Sequence, residues 1–219
     1  MNRVFVSAEG QTEETFVREI LRPHLRDLNV ELQPIVITTH RVKQGRKFKG
    51  GVLSYDQTRN EIERLLHDTN VVAVTTLYDL YHLPTDFPGQ NTRPQSNGRA
   101  KAIHLEQAFQ QDIGSPRFYP HLQVHEFEAF LFVDPARTSA LFPEKDFTKE
   151  IQSIRNSFPT PEDINDSPQT APSKRILELF PKYDKPLYGP LAVLEIGLDV
   201  IRTECPHFNS WLTWLEGLG

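Results

Sequence analysis

The chain has 219 residues, a formal net charge of −5, 38% hydrophobic residues and a single cysteine, Cys205. One cysteine excludes an internal disulfide and a cysteine-rich zinc site, and no apolar run approaches the roughly 20 residues that cross a bilayer. The acidic balance is not that of a general binder of nucleic acid, where affinity comes from neutralising phosphates, and the opening MNRVFVSAEG enters a strand pattern without a signal-peptide layout. The expected location is the cytoplasm.

Residues 4–7 (VFVS) read as a short buried strand. After the turn at Glu9-Gly10-Gln11, Thr12 is the expected N-cap of a helix carrying Glu13 and Glu14 in its first turn. Phe16, Val17, Ile20, Leu21 and Leu25 continue it at helical spacing. Residues 32–38 read as a second strand, the basic stretch 41–51 as a loop, and Ile62, Leu65 and Leu66 as the apolar face of a helix. Residues 71–77 (VVAVTTL) are nearly unbroken in apolar character, which predicts a central parallel strand buried on both faces. A long loop with three prolines follows over 81–95, at a position where long loops often carry function. Residues 100–112 read as a helix and 122–124 as a short strand, and Phe127, Phe130 and Leu131 mark a helix starting near Glu126.

Pro159, Pro161, Pro168 and Pro172 punctuate a loop, after which helical pieces are expected at 174–180, 191–204 and 208–216. Cys205 reads as a packed thiol, and Trp211 with Trp214 as a helix packing face. The expected fold is α/β: an open, mainly parallel sheet flanked by helices over residues 1–135, and a mostly helical extension over 136–219.

Three groups of acids could carry chemistry. Glu9 and Asp79 each follow a strand, and a carboxylate at the C-terminal end of a buried strand lies where open α/β sheets place their ligands. Glu13 opens the helix after Glu9, and His125-Glu126-Phe127-Glu128 follows the short strand, which would put Glu126 at the same crevice while Glu128 faces elsewhere. A hard cation such as Mg²⁺ takes few carboxylates and completes its coordination with water and phosphate oxygens. Plainer readings stand beside each: Glu9 as a helix cap, Asp79 as a turn cap, and the acids after His125 as solvated charges. The glycines at 50 and 51 lack a phosphate-loop or dinucleotide fingerprint, and no nucleophile elbow occurs.

EGQTEETFV, TTLYDLYHLPTDFPG, HEFEAFLF, APSKRI and CPHFNSWL resemble the corresponding strings of a bacterial family of unknown function, number 4276, considered Toprim-related. EGQTE also resembles the opening of the OLD-type Toprim nucleases. The resemblance implies a Toprim-like fold and a metal-dependent nuclease. In it Glu9 and Asp79, with Glu126 or Glu128, would hold Mg²⁺ or Mn²⁺, and Glu9 or Glu13 would move protons. Tyr81 stands where the second aspartate of the Toprim pair would be. Lys47, Lys49, Lys174 and Arg175 are the candidate phosphate contacts. The expected partners are nucleic acid and an AAA- or ABC-type ATPase encoded nearby, in defence against phage or mobile DNA, and a homo-oligomer is left open. The rival expectation is a non-catalytic effector or regulatory subunit that docks onto the ATPase.

Overall fold

A computed structural model describes residues 1–37, 54–165 and 169–219. The sheet is built on three full strands, β1 (Asn2–Ala8), β2 (Val30–Val36) and β3 (Ala73–Asp79), with two short ones, β4 (Phe118–Tyr119) and β5 (Leu122–Gln123). Their order is β2-β1-β3-β4, with β5 also on β3, and every pairing is parallel. All seven residues of β3 are buried, as expected of a strand covered on both faces. β2 begins two residues earlier than the sequence pattern suggests and contains Pro34, which an edge strand tolerates because one side of its ladder is unpaired.

The far edge is a strand broken in two. Pro120 has no N–H to give to the ladder, and the Thr76 side chain bridges the gap. Its hydroxyl donates to the His121 carbonyl (2.8 Å) and accepts the His121 N–H (2.9 Å).

A helical stretch follows β1: α1 (Gln11–Phe16), a π turn (Val17–Leu21) and α2 (Arg22–Arg26). It starts earlier than expected, with Gly10 as the N-cap and Thr12 buried inside α1. The π turn precedes Pro23, whose missing N–H cannot close a regular helical turn. On the opposite side run α3 (Tyr55–Leu66), capped by Ser54, and α4 (Gly98–Ile113), capped by Asn97. Phe5, Val74 and Tyr78 from the sheet meet Ile62, Leu65, Leu105 and Phe109 on this side, with Phe87 of the long loop packed edge-on to Tyr55 and Phe109.

The C-terminal region is helical: α5 (Pro135–Ala140), α6 (Thr148–Asn156), α7 (Pro172–Leu179), α8 (Lys185–Ile196), α9 (Leu198–Glu204) and α10 (Pro206–Glu216). The helix expected over 191–204 is two helices, because Gly197 adopts φ +88° between α8 and α9. The helix expected near Glu126 is a 3₁₀ segment, Phe127–Phe132. Its Leu131 and Phe132 seed a separate core with Phe142, Ile151, Ile176 and Phe180, whereas Phe208, Trp211, Leu212 and Leu215 of α10 return to the sheet beside Val4, Val6 and Phe16. Trp211 is buried there and donates its indole N–H to Thr75 (2.9 Å), and Trp214 stacks on Tyr119. Cys205 is also buried. Among the described residues no helix is long and apolar enough to cross a membrane.

Candidate metal centre

The parallel register sets Ala8 beside Leu77, so β1 and β3 end together and release Glu9 and Asp79 at one edge. The two are directly joined: Glu9 Oε2 accepts the backbone N–H of Asp79 (2.8 Å). The Asp79 carboxylate is in turn held by the Phe127 N–H on Oδ1 (2.9 Å) and by the Lys185 ammonium on Oδ2 (2.9 Å). Lys185 also faces Glu128 Oε2 (3.3 Å) and Glu13 Oε1 (3.5 Å). Three carboxylates, from α1, β3 and the segment after β5, therefore meet around one ammonium group, and Glu9 joins them through the Asp79 backbone.

Each is placed by a local feature. Glu13 lies one turn into α1, and Gly10 leaves room for its carboxylate, since a Cβ there would lie 3.3 Å from Glu13 Oε2. Glu128 reaches the cluster because the chain turns sharply after β5 at His125, which adopts φ +63°, an uncommon conformation outside glycine. Lys185 opens α8, which lies against α1 and the 3₁₀ segment at Gly189. A Cβ on Gly189 would approach Thr12 and Phe127 to 3.2 Å, so a larger residue would push the lysine away.

The electrostatics follow from burial. Glu13, Asp79 and Glu128 are each less than 5% exposed, and crowding carboxylates out of water favours their protonated forms. Burial, then the charges of Asp79 and Glu13, push the Glu9 carboxyl up to about 8. Burial likewise lifts Glu128 to about 7 against the opposing pull of Lys185. Glu13 is raised for the same reason. Burial opposes the charge on Lys185, but Asp79, Glu128 and Glu13 outweigh it and hold the ammonium well above the ordinary lysine range. One ammonium is spread across the group: buried Glu13 Oε1 and Glu128 Oε2 meet Lys185 only as ion pairs at 3.5 and 3.3 Å, and among the described residues the Tyr183 hydroxyl, whose ionisation burial and the charge of Glu128 oppose, has no hydrogen-bond partner. Oxygen-only donors with unfilled valences suit a hard divalent cation.

The remaining candidates lie elsewhere. Glu126, two residues before Glu128, points away, its two oxygens accepting the N–H (2.9 Å) and hydroxyl (3.0 Å) of Ser173 at the start of α7. His125 turns toward Asn165 (Nδ1 to Nδ2, 3.1 Å) and against Gly98, where a Cβ would sit 2.6 Å from its Nε2. Burial and the charge of Lys101 depress its pKa to about 4. The Tyr81 N–H donates to the His125 carbonyl (3.0 Å). Lys174 is exposed beside Ser173, whereas Arg175 donates to the Thr170 carbonyl (2.7 Å) and lies over the Phe158 ring. Lys47 and Lys49 lie outside the described residues. Lys185 and Tyr183 escaped sequence reasoning, since residues 183–185 fall between the expected helices and carry no motif.

Fold and site together define a parallel-sheet α/β protein with an acidic cluster buried at its strand ends. The chain matches over residues 8–216 the family described as "Domain of unknown function (DUF4276)", and it belongs to that family. No curated protein and no solved structure matches it.

Proposed function

We propose that this protein is a divalent-metal-dependent nuclease on a Toprim-like scaffold related to the OLD-family enzymes. The observation that carries the reading is the convergence of Glu9, Glu13, Asp79 and Glu128 at the ends of β1 and β3, where a single ammonium ion-pairs with three of the four. Mg²⁺ or Mn²⁺ bound there would polarise a phosphodiester and lower the pKa of a bound water. Glu9, Asp79 and Glu128 would supply its oxygen ligands. Glu9, held near 8, can both take and return a proton close to neutral pH, and Glu13 is the second group raised for that task. Lys185, with 32% of its side chain exposed, would move outward to a substrate phosphate, exchanging one anionic partner for another. Exposed Lys174 stays a candidate phosphate contact. The resemblance adds an AAA- or ABC-type ATPase as partner and defence against phage or mobile DNA as the setting.

A second reading rests on Lys185 itself, which already ion-pairs with three of the four acids, and on Tyr81 in place of a second aspartate. In it the cluster is a filled structural site, and the protein is a non-catalytic subunit docking onto the ATPase. One assay separates the two: plasmid, linear DNA and RNA are incubated with the protein in Mn²⁺ or EDTA, alone and with its ATPase. Cleavage that requires Mn²⁺ and disappears in Glu9→Gln and Asp79→Asn is the expected result. Cleavage unchanged in both variants, or absent from every mixture, would overturn the nuclease reading.

A further inference from the structure

A second cluster of potential ligands sits at the broken edge of the sheet, apart from the acids just described. Glu106 from α4, His121 from the gap between β4 and β5, and His207 from the first turn of α10 bring one ligand atom each within 4.8 Å of one another. Glu106 Oε1 is 2.8 Å from His207 Nε2 and 3.6 Å from His121 Nδ1. Donors at about 2.0–2.1 Å from a tetrahedral zinc lie roughly 3.3 Å from each other, so the two distances bracket what an ion would impose.

The group is held in place on all sides. The same Glu106 oxygen accepts the Leu122 N–H (2.7 Å). Thr76 grips the backbone of His121 on both its N–H and carbonyl. The His121 ring lies flat between Trp211 (4.5 Å, 6°) and His207 (5.1 Å, 24°). Glu162 accepts the backbone N–H groups of His207 and Phe208, which fixes the start of α10. The side chains of His121, His207 and Glu106 are only 2%, 6% and 15% exposed.

The second observation is unmet polarity. The His121 ring meets the Gln123 side chain, and among the described residues neither His121 Nε2, the ring nitrogen turned away from Glu106, nor the Gln123 amide has a further hydrogen-bond partner. Buried polar atoms normally find partners, and each exception calls for a missing ligand or solvent. Gln123, in contact with His121, is the adjacent side chain with an oxygen to offer.

We infer that Glu106, His121 and His207 bind a borderline divalent transition ion of the Zn²⁺ type, with Gln123 or water in the fourth position. Two imidazoles and one carboxylate select such an ion over Mg²⁺ or Ca²⁺, which prefer oxygen alone. The ion joins α4, the broken strand and α10, so it pins the C-terminal helix to the sheet. Binding releases whatever proton Glu106 and His207 share, because the imidazole must coordinate as the neutral base.

The test uses the whole chain stripped by chelator and titrated with Co²⁺ and then Zn²⁺. One equivalent of Co²⁺ with the visible bands of a four-coordinate site, displaced by Zn²⁺, is the expected result. His121→Gln and His207→Gln should weaken binding by more than the roughly 10–100-fold that loss of an outer partner costs, whereas Asp79→Asn should keep the spectrum. No Co²⁺ band in the folded wild type overturns the inference, as does a band kept in both histidine variants or lost in Asp79→Asn. If the histidine variants do not fold, X-ray absorption on the Co²⁺-loaded wild type decides. Two imidazole scatterers support the site, and an oxygen-only shell rejects it. None of these readouts requires nuclease activity.

Discussion

The protein places two ionisable clusters along one sheet, and they differ in donor and in how their charges are balanced. At the ends of β1 and β3, four carboxylates gather and one ammonium ion-pairs with three of them. At the broken far edge, one carboxylate faces two imidazoles clamped by aromatic rings. The first is over-supplied with negative charge, and Lys185 beside it is partly exposed. The second is nearly neutral and wedged between packed elements. Hard oxygen donors in a crevice suit reversible occupation with substrate, and nitrogen donors in a core suit a resident ion.

The contrast is open to attack by experiment. The largest effect is expected from Asp79→Asn, because Asp79 orients the Phe127 backbone and Lys185 as well as facing the proposed ion. Manganese-dependent cleavage should fall by more than about 100-fold, since even outer-shell losses cost 10–100-fold, with the circular dichroism spectrum retained.

Lys185→Met tests whether the acids need a cation. Breaking a fully buried ion pair costs roughly 3–5 kcal/mol, and a side chain partly in water should cost less, about 1–3 kcal/mol. The loss should be seen in chelator and largely recovered with Mn²⁺. A variant whose unfolding midpoint ignores Mn²⁺ would favour the structural reading of the cluster.

The pH dependence gives the next test. Glu9 and Glu128 titrate near 8 and 7 in the folded protein against an ordinary 4.5. Between those values the native state keeps protons that the unfolded chain has released, so stability in chelator should fall as pH rises from about 4.5 to about 8. Mn²⁺ requires the ionised carboxylates, so its stabilising effect should grow over the same range. Denaturant midpoints at pH 5, 6, 7 and 8, with and without Mn²⁺, provide the measurement, and a midpoint that climbs with pH in chelator would contradict it.

The smallest effect is expected from Ser173→Ala. It removes one of the two donors on Glu126 and leaves the backbone N–H in place, for a loss of about 0.5–1.5 kcal/mol.

How much of this was legible in the chain depended on whether a signal was local. β3 announced itself through its apolar run, and a parallel neighbour for it followed from the strand–helix alternation. Glu9 and Asp79 stood out because each ends a strand. The sequence put Glu126 at the shared edge and Glu128 elsewhere, and the structure reverses the pair, because the turn that separates them depends on the left-handed backbone at His125 and on Ser173, forty-seven residues away. The helix expected over 191–204 broke at Gly197, where apolar periodicity continues across a kink. Lys185 was out of reach for a related reason: its partners are Glu13, Asp79 and Glu128, none near it in sequence. Glu106, His121 and His207 form no motif at all.

Apolar patterning alone determined that this chain makes a parallel sheet covered by helices, and that acids would emerge where its central strands end. That much is decided locally, by the drive to bury one strand on both faces while releasing charge at its tip. Only the folded chain decided which acids share a centre, that a lysine from α8 enters it, and that two histidines meet a glutamate at the broken edge. Those meetings arise from helices that return to the sheet after long separations, and their geometry is set by close packing at Gly189 and around Trp211.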